Sequence, residues 1–253
     1  DSSIIDNASF TAAADTFHAE GLGLCLLWNR QDSIENFIKI IMDHCGAVMA
    51  EDRTTGLIKL KPIRNDYVIA SLQEFGSELG NVLEMKRFER GAVTDAINEV
   101  TVSYTDSATG KTGSVTVQNL AAVQASGRVI SQSVDYPGLP TMDLALRTAQ
   151  RDLTAYTSGL ARVSLMLNRS GYALIPGDVI KFSWLPDGIS QMVLRVISID
   201  YGSLTDGKIS IECLEDVFGL PATTYVKQQA SGWIAPDATA QASTAVAVFE
   251  APY

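Results

Sequence analysis

A chain of 253 residues with 46% hydrophobic content can bury one large core or two modest ones, and it holds no apolar run of the roughly 18 residues that a membrane span needs. Its 29 acidic against 19 basic residues leave a formal charge of −10, the wrong sign for gripping nucleic-acid backbones. Three widely spaced cysteines, Cys25, Cys45 and Cys213, argue against a disulfide framework and are expected as buried thiols. The chain starts at Asp1 without a Met or a secretory pattern, so it reads as part of a longer or processed chain.

The first twenty residues end in a helical pattern, with Phe10, Ala13, Ala14 and Phe17 on one face and Gly21 as its stop. Leu24 to Trp28 reads as a buried strand or an apolar connector. The clearest helix follows over about 33–45. Asp32 or Ser33 caps it, Ile34, Phe37, Ile38, Ile41, Met42 and Cys45 form its apolar stripe, and Gly46 ends it. Phe37 and Ile41 are expected in the core, and His44 partly exposed at the helix end. Ala47–Ala50 and Leu57–Leu60, joined through Asp52-Arg53-Thr54-Thr55-Gly56, spell a β-hairpin.

Asn81 to Phe88 suggests a further strand. Val100, Val102 and Tyr104, then Val115 and Val117, alternate around a polar tip at 106–113. Leu120 to Ser126 allows a helical turn or two. Thr141 caps a second long helix near 142–157, with Leu146, Ala149, Leu153 and Tyr156 as its stripe. Strands are expected at 162–167, 179–184, 192–199 and 208–214, separated by Pro176-Gly177-Asp178, Pro186-Asp187-Gly188 and Asp206-Gly207.

The expected fold class is therefore α+β: a small helix-plus-hairpin domain, then a mostly antiparallel β barrel-like tube domain with a helical insertion. The boundaries read as 1–92, then 93–221 with the insertion at about 120–165, then an Ala/Thr/Gln/Ser-rich extended linker at 222–253.

No catalytic, cofactor-binding or metal-binding residues are assigned. Gly110-Lys111-Thr112 resembles the end of a phosphate loop, but Thr105 stands where the first glycine belongs and a strand pattern follows, so it reads as a hairpin tip. His18, His44, Cys25 and Cys45 match no zinc spacing. Glu215-Asp216 reads as a solvated turn rather than an acid pair. Asn7-Ala8-Ser9 and Asn168-Arg169-Ser170 are chance glycosylation matches in the absence of a secretory signal.

Several stretches together resemble a known family. They are Leu24 to Ile38, Asp52 to Leu60, Ile97 to Asp106, Ile175 to Phe182 and Glu212 to Gly219. In order and spacing they are similar to the central part of phage tail-tip (baseplate) hub proteins. That family includes the tail proteins and tip attachment or host-specificity proteins of long-tailed phages, prophages and gene transfer agents.

The resemblance implies a structural, non-enzymatic homotrimer in the virion, made in the bacterial host cytoplasm. Its barrel domains would continue the tail tube. Its partners would be the distal tail protein, the tape-measure protein and receptor-binding or tail-fibre parts, and it would serve host attachment and DNA delivery. No catalytic residues carry over. An acidic or neutral ring wall would let DNA slide, and Asp178, Asp187 and Asp206 read either as the ring's rims or simply as turn residues. The alternatives are the hub of a contractile injection or secretion apparatus and a hydrolase of peptidoglycan or surface sugar.

Overall fold

The computed structural model describes residues 2–27, 33–92, 95–203 and 205–219. The fold is α+β, with a curled half-barrel sheet as its largest part.

Helix α1 (Asn7–Ala19) starts where the Asp6 side chain accepts the Ala8 N–H at 3.2 Å. Helix α2 (Ile34–Cys45) starts at Ser33, whose hydroxyl accepts the Asn36 N–H at 3.2 Å; Asp32, the other candidate cap, lies outside the described residues. Gly46 closes α2 at φ 59°, a left-handed conformation that glycine adopts without strain. The expected hairpin follows as β1 (Ala47–Asp52) and β2 (Leu57–Pro62), paired from Ala47↔Pro62 to Asp52↔Leu57. At its turn the Asp52 carboxylate accepts from Thr54 N–H and hydroxyl and pairs with Lys59 at 2.7 Å.

The α2 stripe departs from expectation. Phe37 and Ile41 are only half-buried, and the fully buried side chains of the helix are His44 and Cys45. A two-stranded hairpin is too narrow to cover a twelve-residue helix. Leu22 to Leu27 is no strand; Leu22 and Leu24 pack as an extended strap against the core of the next module. Cys25 is exposed there, unlike the buried Cys45 and Cys213. Trp28 lies outside the described residues.

Strands β3 (Glu74–Gly76) and β4 (Val82–Arg90) come next, followed by a module of its own. In it, β5 (Glu99–Thr105) pairs antiparallel with β6 (Thr112–Gln118) and parallel with β7 (Ser131–Asp135), giving the order β6-β5-β7. The short helix α3 (Leu120–Ser126) links β6 to β7, and α4 (Met142–Thr157) packs across β5 and β6. Val100, Val102, Leu139, Ala145 and Ala149 form its core with no exposed surface. The buried face of α4 is turned from the expected stripe: Leu144, Ala145, Thr148, Ala149, Asp152 and Leu153 point inward, while Tyr156 is exposed.

The chain then supplies β8 (Ala161–Leu167), β9 (Val179–Trp184), β10 (Ile189–Asp200) and β11 (Ile209–Glu215). With the earlier strands they build the half-barrel in the order β3-β9-β10-β11-β8-β4. It therefore takes strands from both sides of residue 92. Strands β5 and β6, expected in the barrel, lie outside it, and the segment set between its strands runs from after Arg90 to before Ala161, which pair with each other. Alternating hydrophobicity tells which face of a strand is buried but not which sheet it joins.

The two end strands of the half-barrel meet one continuous stretch of chain. β3 pairs with β9, and five residues later β4 pairs with β8. Asn81 clasps the two: its Oδ1 accepts the Gly76 N–H at 2.8 Å and its Nδ2 donates to the Glu74 carbonyl at 2.9 Å. Its own carbonyl accepts the Asn168 N–H at 3.0 Å, at the end of β8. Phe75, Leu165, Leu167, Ile180, Phe182 and Leu194 fill the interior with no exposed surface.

Candidate functional site

Polar side chains concentrate where the N-terminal unit meets the half-barrel and the β5–α4 module. The centre is the C-terminus of α2, whose last carbonyls need donors from outside the helix. Two arginines supply them. Arg64, just past β2, donates to the carbonyls of Cys45 and Gly46, both at 3.0 Å. Arg151, from α4, donates to those of Asp43 at 3.2 Å and His44 at 3.4 Å. Positive charge at this end also suits the helix dipole.

Each guanidinium is held by a carboxylate. Glu20 takes Arg64 in a two-pronged pair at 2.5 and 2.8 Å, which holds its carboxyl below the usual carboxylate range. Asp152 accepts from Arg151 Nε at 2.9 Å and from the Tyr136 hydroxyl at 2.7 Å. Burial and the Asp152 charge push the Tyr136 phenol up.

His44 lies between them with 2% of its surface exposed. Its Nδ1 donates to the Ile40 carbonyl at 2.7 Å, and its Nε2 accepts the Gly138 N–H at 3.0 Å. The Tyr136 ring stands edge-on to it, 5.0 Å away between centres. The expectation of a partly exposed His44 is thus corrected: the helix turns this side chain into the junction, where both ring nitrogens find partners. Gly138 has no room for a side chain, because a Cβ would fall 2.6 Å from Leu26 and 3.1 Å from His44. Its carbonyl accepts the Cys25 N–H at 2.8 Å, so one residue ties strap, helix and loop together.

Clefts of about 320 and 790 Å³ flank this junction and share His44, Ile63, Arg151 and Phe218. Ile40, Tyr156 and Phe218 give the larger one an exposed apolar lining.

A second brace joins the N-terminal unit to the half-barrel. Arg195, in β10, grips Asp216 through Nε at 3.1 Å and Nη2 at 3.2 Å and donates to the carbonyls of Gly177 and Arg64. The Tyr67 hydroxyl donates to the same Asp216. Lys61 pairs with Asp178 at 2.7 Å. Glu215 and Asp216, expected in a solvated turn, are 8% and 3% exposed. Glu215 takes the Ala161 N–H at 3.0 Å and Arg90 at 2.8 Å, which binds the end of β11 to the seam between β4 and β8. Sequence reading missed both braces, because their members lie up to 149 residues apart. Asp152, the one charged residue on the buried face of α4, was the one local signal.

The remaining candidates are scattered. Lys111 is exposed at the β5–β6 tip, where Gly110 N–H closes the turn on the Asp106 carbonyl at 2.8 Å. His18 and Cys25 are exposed and Cys45 is buried, and no group of three metal-ligating side chains occurs among the described residues. Glu20 and Asp152 at the junction, and Glu215 and Asp216 in the second brace, are each engaged by arginine, tyrosine or backbone.

A family described as "Putative phage tail protein" matches residues 33–199, two thirds of the chain. The chain belongs to that family. It is a structural phage tail protein and a component of the virion. In fold it is similar to a chain of the native gene transfer agent virion, at 16% identity and TM-score 0.54 over 75% of this chain and 41% of that one. It is also similar to a tail protein of Neisseria meningitidis MC58, at 12% identity and TM-score 0.52 over 76% of this chain and 57% of that one. The tail protein thus spans about half the length of the solved structures it matches. No curated protein sequence matches it significantly.

Proposed function

We propose that this tail protein is a non-catalytic part of the tail-tip hub, three copies of which form a ring that continues the tail tube. The observation that carries this reading is the half-barrel itself, in a chain whose family match runs from α2 to β10. Its interior is packed with Phe75, Ile180, Phe182 and Leu194, so a single copy offers no channel. A lumen has to arise between copies, and a ring needs strand edges and apolar surface to join them. The outer edge of β4 and the half-exposed Leu83 and Phe88 upon it suit that purpose.

The ring would close the tip, hold the end of the tape-measure protein, and lie between the distal tail protein and the receptor-binding parts. With a net charge of −10 its wall would not retain DNA. Asp187 and Asp206 are exposed at turns of the half-barrel and suit a rim, whereas Asp178 is taken up by Lys61.

The test is the copy number and place of the protein in intact tails, by electron microscopy with a labelled copy, together with sedimentation of the full-length protein. Three copies at the tip, and no salt-dependent retardation of DNA, are expected. A single copy per tail, or copies spaced along the tube, would refute the hub.

A further inference from the structure

The two hydrogen bonds of the His44 ring exist together only while the ring is neutral. Its Nδ1 must carry the hydrogen that reaches the Ile40 carbonyl, and its Nε2 must be bare to accept from Gly138. A second proton on the ring would place N–H against N–H at 3.0 Å in a site 2% exposed. We propose that His44 is an acid-sensitive latch, whose protonation frees the end of α2 and the 22–27 strap from the loop that carries Gly138.

The surroundings oppose charging of the ring. Burial lowers its pKa from 6.5 and outweighs both the Ile40 carbonyl and Asp43, which favour the charged form. Arg151, from α4, adds a positive charge. Asp152 is engaged by Arg151 and Tyr136, and Glu20 by Arg64, so neither acid is free to neutralise an imidazolium. Cys45 on the same helix and Tyr156 across the larger cleft supply no charge at neutral pH: burial raises both.

The sign follows from the lowered value. The latch is at full strength above about pH 6.5, and it weakens as pH falls from there toward the folded value, because the open form takes up the proton first. Release propagates because Gly138 holds the strap through Cys25 N–H as well as the helix through His44. The joint would therefore open as a unit, with the strap and the helix end losing one shared anchor.

The chain has only two histidines, and His18 is exposed on α1, so it serves as the control. The experiment measures amide exchange protection at Gly138 and Cys25 in the full chain at pH 7.5 and 5.5, with intrinsic rates divided out. A ring that titrates normally in the open form gives about tenfold more opening at pH 5.5. His18→Gln should keep that response. His44→Gln, whose amide oxygen can accept from Gly138 without titrating, should reduce it below about twofold.

A tenfold response retained in His44→Gln would overturn the latch. So would unchanged protection in the wild type, whether ring nitrogen resonances report His44 charged or neutral at pH 5.5. The wild-type exchange comparison needs no variant, so it can still overturn the latch if His44→Gln fails to fold.

Discussion

Asn81 offers the sharpest test of how the half-barrel is closed. Asn81→Ala removes the acceptor for Gly76 N–H and the donor to the Glu74 carbonyl, and leaves the buried Gly76 amide unpaired. The lost bond to the Glu74 carbonyl, at about 1 kcal/mol, plus about 1–3 kcal/mol for the orphaned buried Gly76 donor, give roughly 2–4 kcal/mol. For a domain of this size that corresponds to a fall in Tm of ~4–16 °C. Asn81→Asp keeps the acceptor but sets a carboxylate against the Glu74 carbonyl, so it should fall between wild type and alanine. Leu79→Ala, 59% exposed in the same turn, should stay within about 0.5 kcal/mol. Urea unfolding followed by tryptophan fluorescence reads all three. An Asn81→Ala protein within about 0.5 kcal/mol of wild type would mean that the ends of the sheet are held by strand pairing alone.

Burial should grade a second series: Phe182→Ala, at no exposed surface, costs about 3–5 kcal/mol, half-buried Phe37→Ala below about 2 kcal/mol, and exposed Lys111→Ala below about 0.5 kcal/mol, all by denaturant midpoint. Lys59 and Thr54 hold the Asp52 carboxyl well below its ordinary 3.8, so its contribution is complete above about pH 3.8 and is lost as pH falls through the lower folded value. Asp52→Asn should therefore differ from wild type more at pH 6 than at pH 2, as thermal melts at both values will show. Thiol labelling at pH 8, read by mass spectrometry, should modify exposed Cys25 first; Cys45, raised by burial, and Cys213, pushed up to about 12, should react only on unfolding.

Much of the fold was legible in the sequence where a period was strong. The ends of α2, the β1–β2 hairpin and the strands 162–167 and 179–184 follow from caps, turns and alternation. β3 is three residues long and carries no period, and β7, Ser-Gln-Ser-Val-Asp, buries almost nothing, so neither left a hydrophobic trace. The assignment of β5 and β6 to the barrel failed because pattern cannot choose between two sheets. The junction was illegible for another reason. Helical position suggested solvent for His44, and only the approach of a glycine 94 residues away shows why the ring is inside.

The pairing of Arg90 with Ala161 has a consequence for how such tails diversify. The 70 residues 91–160 leave and re-enter the half-barrel at adjacent strand ends. A tight turn in their place would make β4 and β8 an ordinary hairpin, and a segment twice as long would add only about 0.6 kcal/mol of loop-closure entropy. Related tails can therefore enlarge, shrink or swap this module while the register of the half-barrel stays the same. The face that receives His44 is the constraint on such exchange: a replacement must bring its own backbone N–H to that ring, or the helix end loses its anchor.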